Sequence, residues 1–476
     1  MNTYPLYLNG QFVSSEATTD VVNPATAEPF AKIATTDRAR LATAIEDAHA
    51  AFLKWRRLTG RTRGAFLHKV ADQVESRREE IARTITLENG KPLAQSLGEV
   101  AMAADHLRWF AEEARRAYGR IIPNQVEGKR HLVIKSPMGV VGAISPWNFP
   151  LALAVRKVAP ALAAGCTVVL KPATQTPVCA VHLAECVHAA GLPPGVLQVI
   201  VGPSAAFGDE LLSNPRCRKI TFTGSTEVGR VLIRGAAATV KPLSLELGGH
   251  APVLVFADVD LDTAVEGALA AKFRNTGQSC IAANRILVER PMYERFLDAF
   301  VARVRSLKVG DGLESGVDIG PLFDEAGVAK ALEHVKDAVG AGARLLCGGR
   351  RVPGSRGFFV EPTVLADVPS GCACMREETF APIAPLAAFD REEEALELAN
   401  DSIYGLSAYV FTTNLGRAFR MMEGLEAGTI GINDGVPSTS QCPFGGMKQS
   451  GWGRELGSEG LDAFLETKHV SLGMTI

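Results

Sequence analysis

Apolar and polar positions along this chain change period twice. YPLYLNG and QFVSS alternate apolar with polar residues on either side of Asn9-Gly10. Asn-Gly is a favoured two-residue turn, so this stretch predicts an N-terminal β-hairpin. Residues 36–118 then take a helical period. Phe66, Val70 and Val74 recur four apart, Ile81 and Ile85 do so again, and Asn89-Gly90 and Pro92 punctuate the run. From Gly139 short apolar runs alternate with helix-like stretches. GVVGAIS precedes ALAVRKVAPALAAG, CTVVLKPA precedes PVCAVHLAECVHAAG, VLQVIVG precedes AAFGDELLS, and RKITFTG precedes TEVGRVLIRGAAA. Repeated strand–helix units predict a parallel sheet covered by helices on both faces, with ligands at the carboxyl ends of its strands.

After LELGGHAPVLVF a second alternating region begins, with strands NRILVE and GTIGIN, and it closes in the Gly-rich CPFGGMKQSGWGRE. A domain boundary is expected at Gly248-Gly249. Two further segments, IIPNQVEGKRHLVIKS and LETKHVSLGM, carry strand alternation outside both regions. They read either as an arm that pairs with another subunit or as ordinary surface hairpin strands.

Length and charge narrow the class. A chain of 476 residues is too long for one simple core, so two or more domains are expected. Apolar residues make up 47% and charged residues 21%, as in globular proteins. The net charge of −2, without single-sign runs, argues against nucleic acid or an anionic membrane as partner. MNTYPLYLNGQFV lacks the basic and apolar regions of a signal peptide, and no apolar run reaches the ~18 residues of a membrane span. The nine cysteines are scattered, odd in number and without a CxxC pair, so neither a disulfide framework nor a metal site is expected. A reducing cytoplasm fits best.

Candidate chemistry lies at the ends of the predicted strands. In ITFTGSTEVG a strand runs through Gly224-Ser225 into a helix, whose free N–H groups favour phosphate. Alone this reads more readily as a tight turn, since the G-x-G-x-x-G pattern is missing. Lys171 ends the strand of VVLKPATQTP at the edge where a nucleotide lies; a lone lysine there is otherwise simply solvated. Asn148, between the rings of SPWNFP, can donate to an oxyanion or form an Asx turn. Glu246 in LELGGH can act as a general base or sit in a salt bridge. Cys280, in NTGQSCIAANR, has small and polar neighbours instead of the Val, Ile and Leu that surround a packing cysteine. A single cysteine is more often inert, but thiol, base, amide donor and nucleotide-type sheet together are the parts of acyl chemistry linked to hydride transfer.

SPWNFP, LKPATQTP, FTGSTEVGR, LELGGHAP, GQSC, EETFAP and CPFGGMKQSGWGRE occur in the order and spacing of the aldehyde dehydrogenase superfamily, which the chain resembles over essentially its whole length. The resemblance implies an α/β fold. A Rossmann-like parallel-sheet domain for NAD(P) is expected over residues 1–123 and 143–248, and an α/β catalytic domain over 249–433. A small β oligomerisation arm is expected over 124–142 and 461–476, in a homodimer or homotetramer. By the same resemblance Cys280 is the nucleophile. Asn148 and the Cys280 backbone N–H hold the oxyanion, and Glu246 activates the water that hydrolyses a thioester. Trp147, Lys171, Thr174, Gly224, Ser225, Glu378 and Phe380 are implied at the cofactor, Glu378 on the nicotinamide ribose. Ala381 stands where most relatives have Gly, with little effect expected. Lys157 and Glu466 match a proton-relay pair.

Specificity follows from further matches. Many NAD-preferring relatives have Glu where this chain has Thr174. Its absence removes repulsion of a 2′-phosphate carrying about −1.5 to −2 charges, so NADP is expected to be accepted beside NAD. Arg156, Arg274 and Ser438 match the carboxylate-binding trio of the succinate-semialdehyde dehydrogenase subfamily. The expected substrate is therefore an acidic semialdehyde, succinate semialdehyde first. Glutarate or 2-oxoglutarate semialdehyde and a sulfonated aldehyde are the alternatives. The arginines could instead pair with protein carboxylates elsewhere. Ala282 occupies the place of a second cysteine found in some members, so no local disulfide switch is expected. A thiol esterase or CoA-dependent acylating enzyme, and a non-enzymatic structural relative, are the rival classes; an intact Cys280, Glu246 and Asn148 argue against the last.

Overall fold

A computed structural model describes residues 1–474; residues 475–476, the end of the expected arm, lie outside the described residues. The N-terminal hairpin forms as the alternation predicts. Leu6–Leu8 pairs antiparallel with Gln11–Val13, and Asn9 (φ 47°) and Gly10 (φ 79°) both take the left-handed conformation that such a turn requires. The helical period resolves into Arg38–Trp55, Gly60–Ser76, Arg78–Asn89 and Leu93–Glu113, with Gly90 (φ 91°) closing the third helix and Pro92 opening the fourth.

The strand–helix units build one eight-stranded sheet. Its order is Gly451–Trp452, Leu243–Glu246, Cys217–Thr223, Val140–Ile144, Thr167–Lys171, Leu197–Val199, Leu6–Leu8, Gln11–Val13. The five strands from Leu243–Glu246 to Leu197–Val199 are parallel. Val140–Ile144 comes first in the chain but lies in the middle. The next two strands lie to one side of it and the two after those to the other. The order therefore reverses between Val140–Ile144 and Cys217–Thr223, and a crevice opens there at the carboxyl ends. Trp147 and Asn148 follow the first of these strands, and Gly224 and Ser225 follow the second. The helix Ala152–Ala164 is buried along all 13 residues and packs with Gly60–Ser76 and Leu93–Glu113 in one apolar core.

A second sheet has seven strands, in the order Arg344–Cys347, Thr363–Ala366, Ile383–Phe389, Ala283–Glu289, Ala251–Val255, Ser407–Phe411, Thr429–Ile432. All are parallel except the Arg344–Cys347 edge. Apolar clusters cover both of its faces. The two outlying segments pair with each other. Leu465–Gly473 runs antiparallel to Lys129–Pro137, and Arg120–Ile122 adds a third, fully exposed strand. The expected arm limits shift accordingly. Residues 140–142 belong to the large sheet, because the apolar run of Val140–Ile144 is buried on both faces, and 120–122 join the arm. No helix among the described residues is long and apolar enough to cross a membrane.

Candidate active site

The small and polar residues before Cys280 make a turn that larger or apolar ones could not. The helix Leu261–Phe273 ends, and Asn275 (φ 52°), Thr276 (φ 59°) and Gly277 (φ 75°) follow in the left-handed region. Such backbone costs about 1–3 kcal/mol per non-Gly residue and needs outside bonds to hold it. Asn275 Nδ2 donates to the carbonyls of Asn148 (2.9 Å) and Gln278 (3.0 Å). Thr276 Oγ1 donates to Gly320 O (3.2 Å), and Gln278 Oε1 accepts from Phe323 N (2.8 Å). A Cβ on Gly277 would lie 2.3 Å from Ala381 O, so only glycine fits. The turn delivers Cys280, half-buried, into a cavity of about 30 Å³ lined by Phe149, Arg156, Arg274, Ser438 and Phe444 among others. Burial pushes the Cys280 thiol up to about 12; Arg156 opposes this, while Glu378, Glu246 and Glu455 add to it. The resting thiol is therefore protonated and needs a base.

Asn148 reaches the same turn. Its amide N–H donates to Gln278 O (3.2 Å), and among the described residues Oδ1 has no partner. Its backbone is held by a pair that the sequence did not flag. Lys91 Nζ donates to Asn148 O (2.7 Å) and to Glu99 Oε2 (2.6 Å), with both side chains wholly buried. Glu99 Oε1 accepts from the N–H groups of Leu151 (3.0 Å) and Ala152 (3.1 Å), at the start of the next helix. A carboxylate on the buried face of Leu93–Glu113 was the signal available.

Three carboxylates act on the thiol. Glu246 ends the strand Leu243–Glu246, is buried, and has no partner for Oε2. Burial pushes its pKa well up and Glu455 pushes further, against Lys157, Arg156 and Arg454. A Cβ on Gly445 would come within 2.8 Å of Glu246 Oε1, so glycine lets the chain pass here. Lys157 Nζ donates to Glu455 Oε1 and Thr223 Oγ1, each at 2.6 Å. This corrects the expected Lys157–Glu466 pair. Glu466 is exposed on the arm, opposite Ser136. Glu455 is turned inward because its backbone exchanges two 2.7 Å hydrogen bonds with Phe444.

The cavity that holds the thiol also holds two cations. Arg156 Nη2 donates to Ser438 Oγ (3.2 Å), Nε donates to His106 Nε2 (3.2 Å), and the guanidinium lies 4.7 Å from the Phe444 ring centre. Arg274 lies 5.2 Å from the Phe149 ring centre. Among the described residues Arg274 makes no hydrogen bond or ion pair, and neither arginine pairs with a carboxylate. Burial, then Arg156, pulls the pKa of Arg274 down.

The remaining expected residues line the crevice. Among the described residues Lys171 Nζ bonds only Pro172 O, at 3.4 Å, and burial pulls it down to about 8. Thr174 is half-buried three residues on. Gly224 N donates to Glu246 O (3.0 Å), and Ser225 Oγ caps the helix Thr226–Ala236 by accepting from Val228 N (3.4 Å). Val228 and Val231 on that helix are about half exposed (45% and 55%). Glu378 Oε1 accepts from Gly249 N (3.1 Å), and burial pushes this carboxyl up to about 7. Phe380 (φ 56°) meets Trp147 edge-on at 5.5 Å, and Trp147 stacks on Phe323 at 4.2 Å. A lysine without a carboxylate, a capped helix start and uncovered apolar side chains fit an anionic nucleotide. All nine cysteines are free, and Cys442 is the exposed one.

A thiol, a buried carboxylate and an amide donor meet at the carboxyl ends of a nucleotide-type sheet, which is the arrangement of a cysteine-dependent dehydrogenase. The aldehyde dehydrogenase family model matches residues 12–470, and the chain belongs to that family. Two relatives are each 47% identical over 98% of this chain and 97% of their own length: the NADP(+) succinate-semialdehyde dehydrogenase of Escherichia coli and the glutarate-semialdehyde dehydrogenase of Pseudomonas putida. The crystal structure of succinate-semialdehyde dehydrogenase from Burkholderia pseudomallei matches with a TM-score of 0.97 at 47% identity, covering 99% of this chain and 98% of that one.

Proposed function

We propose that this protein oxidises a small aldehyde bearing a remote anionic group, succinate semialdehyde first, to the acid, with NADP or NAD as acceptor. The observation that carries the reading is Arg274. Its guanidinium pairs with no anion among the described residues and shares a cavity with Arg156, Ser438 and Cys280. A substrate carboxylate supplies the missing partner through charge-assisted bonds worth about 1.5–3 kcal/mol each.

Cys280 gives up its proton to a base, a role we assign to the buried Glu246, one of three carboxylates whose charge acts on the thiol. The thiolate adds to the carbonyl carbon as a thiohemiacetal. Asn148 and the Cys280 backbone N–H donate to the new oxyanion. Bound nicotinamide, which Glu378 and Phe380 would hold, would supply the two-electron acceptor for the hydride, and Cys280 would keep the acyl carbon as a thioester. Glu246 passes the thiol proton on toward Glu455 and Lys157, then takes a proton from the attacking water and returns it to the departing sulfur, so the carboxylic acid leaves with the thiol restored.

Thr174 and Lys171 support acceptance of NADP, since no carboxylate side chain bonds Lys171. Chain length is less sharply set, because one methylene changes binding by only about 1–3 kcal/mol. Equal identity to the glutarate enzyme favours glutarate semialdehyde as the second reading. 2-Oxoglutarate semialdehyde and a sulfonated aldehyde present the same anionic end. The free thiols support a cytoplasmic home. The exposed edge Arg120–Ile122, with Ile121 77% exposed, supports a homodimer or homotetramer built through the arm, and sedimentation as a monomer would refute this. The function is tested by following nicotinamide reduction with succinate semialdehyde, NADP and NAD in parallel. Turnover without nicotinamide, or only with CoA, would indicate an esterase or acylating enzyme instead.

A further inference from the structure

We infer that His106 is a positioning residue for the anion pocket: its ring holds Arg156 by one nitrogen and ties down the Ser438 loop by the other. The inference rests on reading that pocket as the site of an acidic aldehyde.

The chain of bonds has only one polarity. Arg156 Nε–H can only donate, so His106 Nε2, 3.2 Å away, accepts. The proton of the neutral ring is then on Nδ1, which donates to Ser440 Oγ at 2.8 Å. The Ser440 hydroxyl in turn donates to Asp105 Oδ2. Ser440 is two residues from Ser438, and its carbonyl accepts from Gly457 N at 2.9 Å. His106 therefore fixes both groups that meet in the bond between Arg156 Nη2 and Ser438 Oγ. With Nε tied to His106, Nη2 to Ser438 and one face over Phe444, the guanidinium plane cannot turn, and Nη1 is left without a partner among the described residues. A fixed fork loses less freedom when it binds a carboxylate. His106 is 1% exposed, and burial, then Arg156, holds its pKa well below the usual value. The ring thus keeps its acceptor lone pair and adds no second positive charge beside Arg156.

A packing role would affect all aldehydes alike, whereas a positioning role affects only those with an anion. The test measures KM and kcat of His106→Leu with succinate semialdehyde and with butanal. KM for the acidic substrate is expected to rise about tenfold or more, while KM for butanal and kcat stay within about twofold to threefold. His106→Gln, which can accept with Oε1 and donate with Nε2, is expected to restore part of the loss. Equal changes for both aldehydes, or no change for either, would overturn the inference. Should His106→Leu fail to fold, Ser440→Ala cuts the same chain and is expected to raise KM for the acidic aldehyde alone, by about threefold; a parallel rise with butanal, or none, overturns the inference there too. Arg274→Ala is run beside them. If it also leaves the acidic KM unchanged, the pocket reading itself falls; if it raises that KM and His106→Leu does not, only the role of His106 falls.

Discussion

Two sets of charge near Cys280, one around Glu246 and one around Arg274, differ in sign and in how that charge is satisfied. Around Glu246, among the described residues, the only carboxylate that Lys157 bonds is Glu455, and Glu246 Oε2 and Glu455 Oε2 have no partner. On the Arg274 flank two guanidiniums share a cavity that no carboxylate among the described residues lines. The Lys91–Glu99 pair nearby is buried as deeply, yet it is matched one to one and its remaining bonds are made. Burial alone therefore does not mark function here. What marks it is charge left over: negative where a proton must be taken up, positive where an anion must dock.

Replacements at these sites should break or sharpen the contrast. The largest effect belongs to the centre itself: Cys280→Ala should lower aldehyde oxidation by more than about a thousandfold, in a steady-state assay, without loss of fold. Next comes the matched pair. Lys91→Met strands the Glu99 charge and should cost about 3–5 kcal/mol in denaturant unfolding. Arg274→Met removes a cation that has no protein partner, so stability should hold or rise, while KM for succinate semialdehyde rises about tenfold or more. If both variants lose stability equally, the contrast between matched and unmatched charge is wrong. Thr174→Glu should shift the ratio of kcat/KM for NADP over NAD down by about tenfold, because the new carboxylate repels the 2′-phosphate. The smallest effect concerns pH. Glu455 raises the pKa of Glu246, so activity that needs ionised Glu246 should rise with pH, and Glu455→Gln should move that rise to lower pH. A pH profile of kcat/KM reads this directly, and a move to higher pH would contradict the assigned coupling.

Much of the scaffold was legible because local signals agreed with the final packing. Asn9-Gly10 names its own turn, and short apolar runs such as the VVL of TVVLK, set between helix-like stretches, suit strands buried on both faces. Strand ends then located Asn148, Lys171, Gly224 and Glu246. What sequence could not give was long-range pairing. Lys157 was matched with Glu466 along the chain, but the backbone bonds at Phe444 turn Glu455 inward instead. Lys91, Glu99 and His106 read as ordinary positions near or on the helix Leu93–Glu113, and only the approach of the 147–152 segment and the Ser438 loop gives them their partners. The left-handed Asn275 and Thr276 were hidden as well, since their conformation is set by Gln278, Gly320 and Asn148 rather than by local preference.

The most direct measurement is the KM of the purified protein for succinate semialdehyde against butanal, with NADP as acceptor, followed by nicotinamide reduction in the wild type and in Arg274→Ala. The account expects the wild type to favour the acidic aldehyde by about tenfold or more, and Arg274→Ala to remove most of that preference. Equal KM values for the two aldehydes in the wild type, or a preference that survives Arg274→Ala, would show that the positive flank does not hold the substrate's anion.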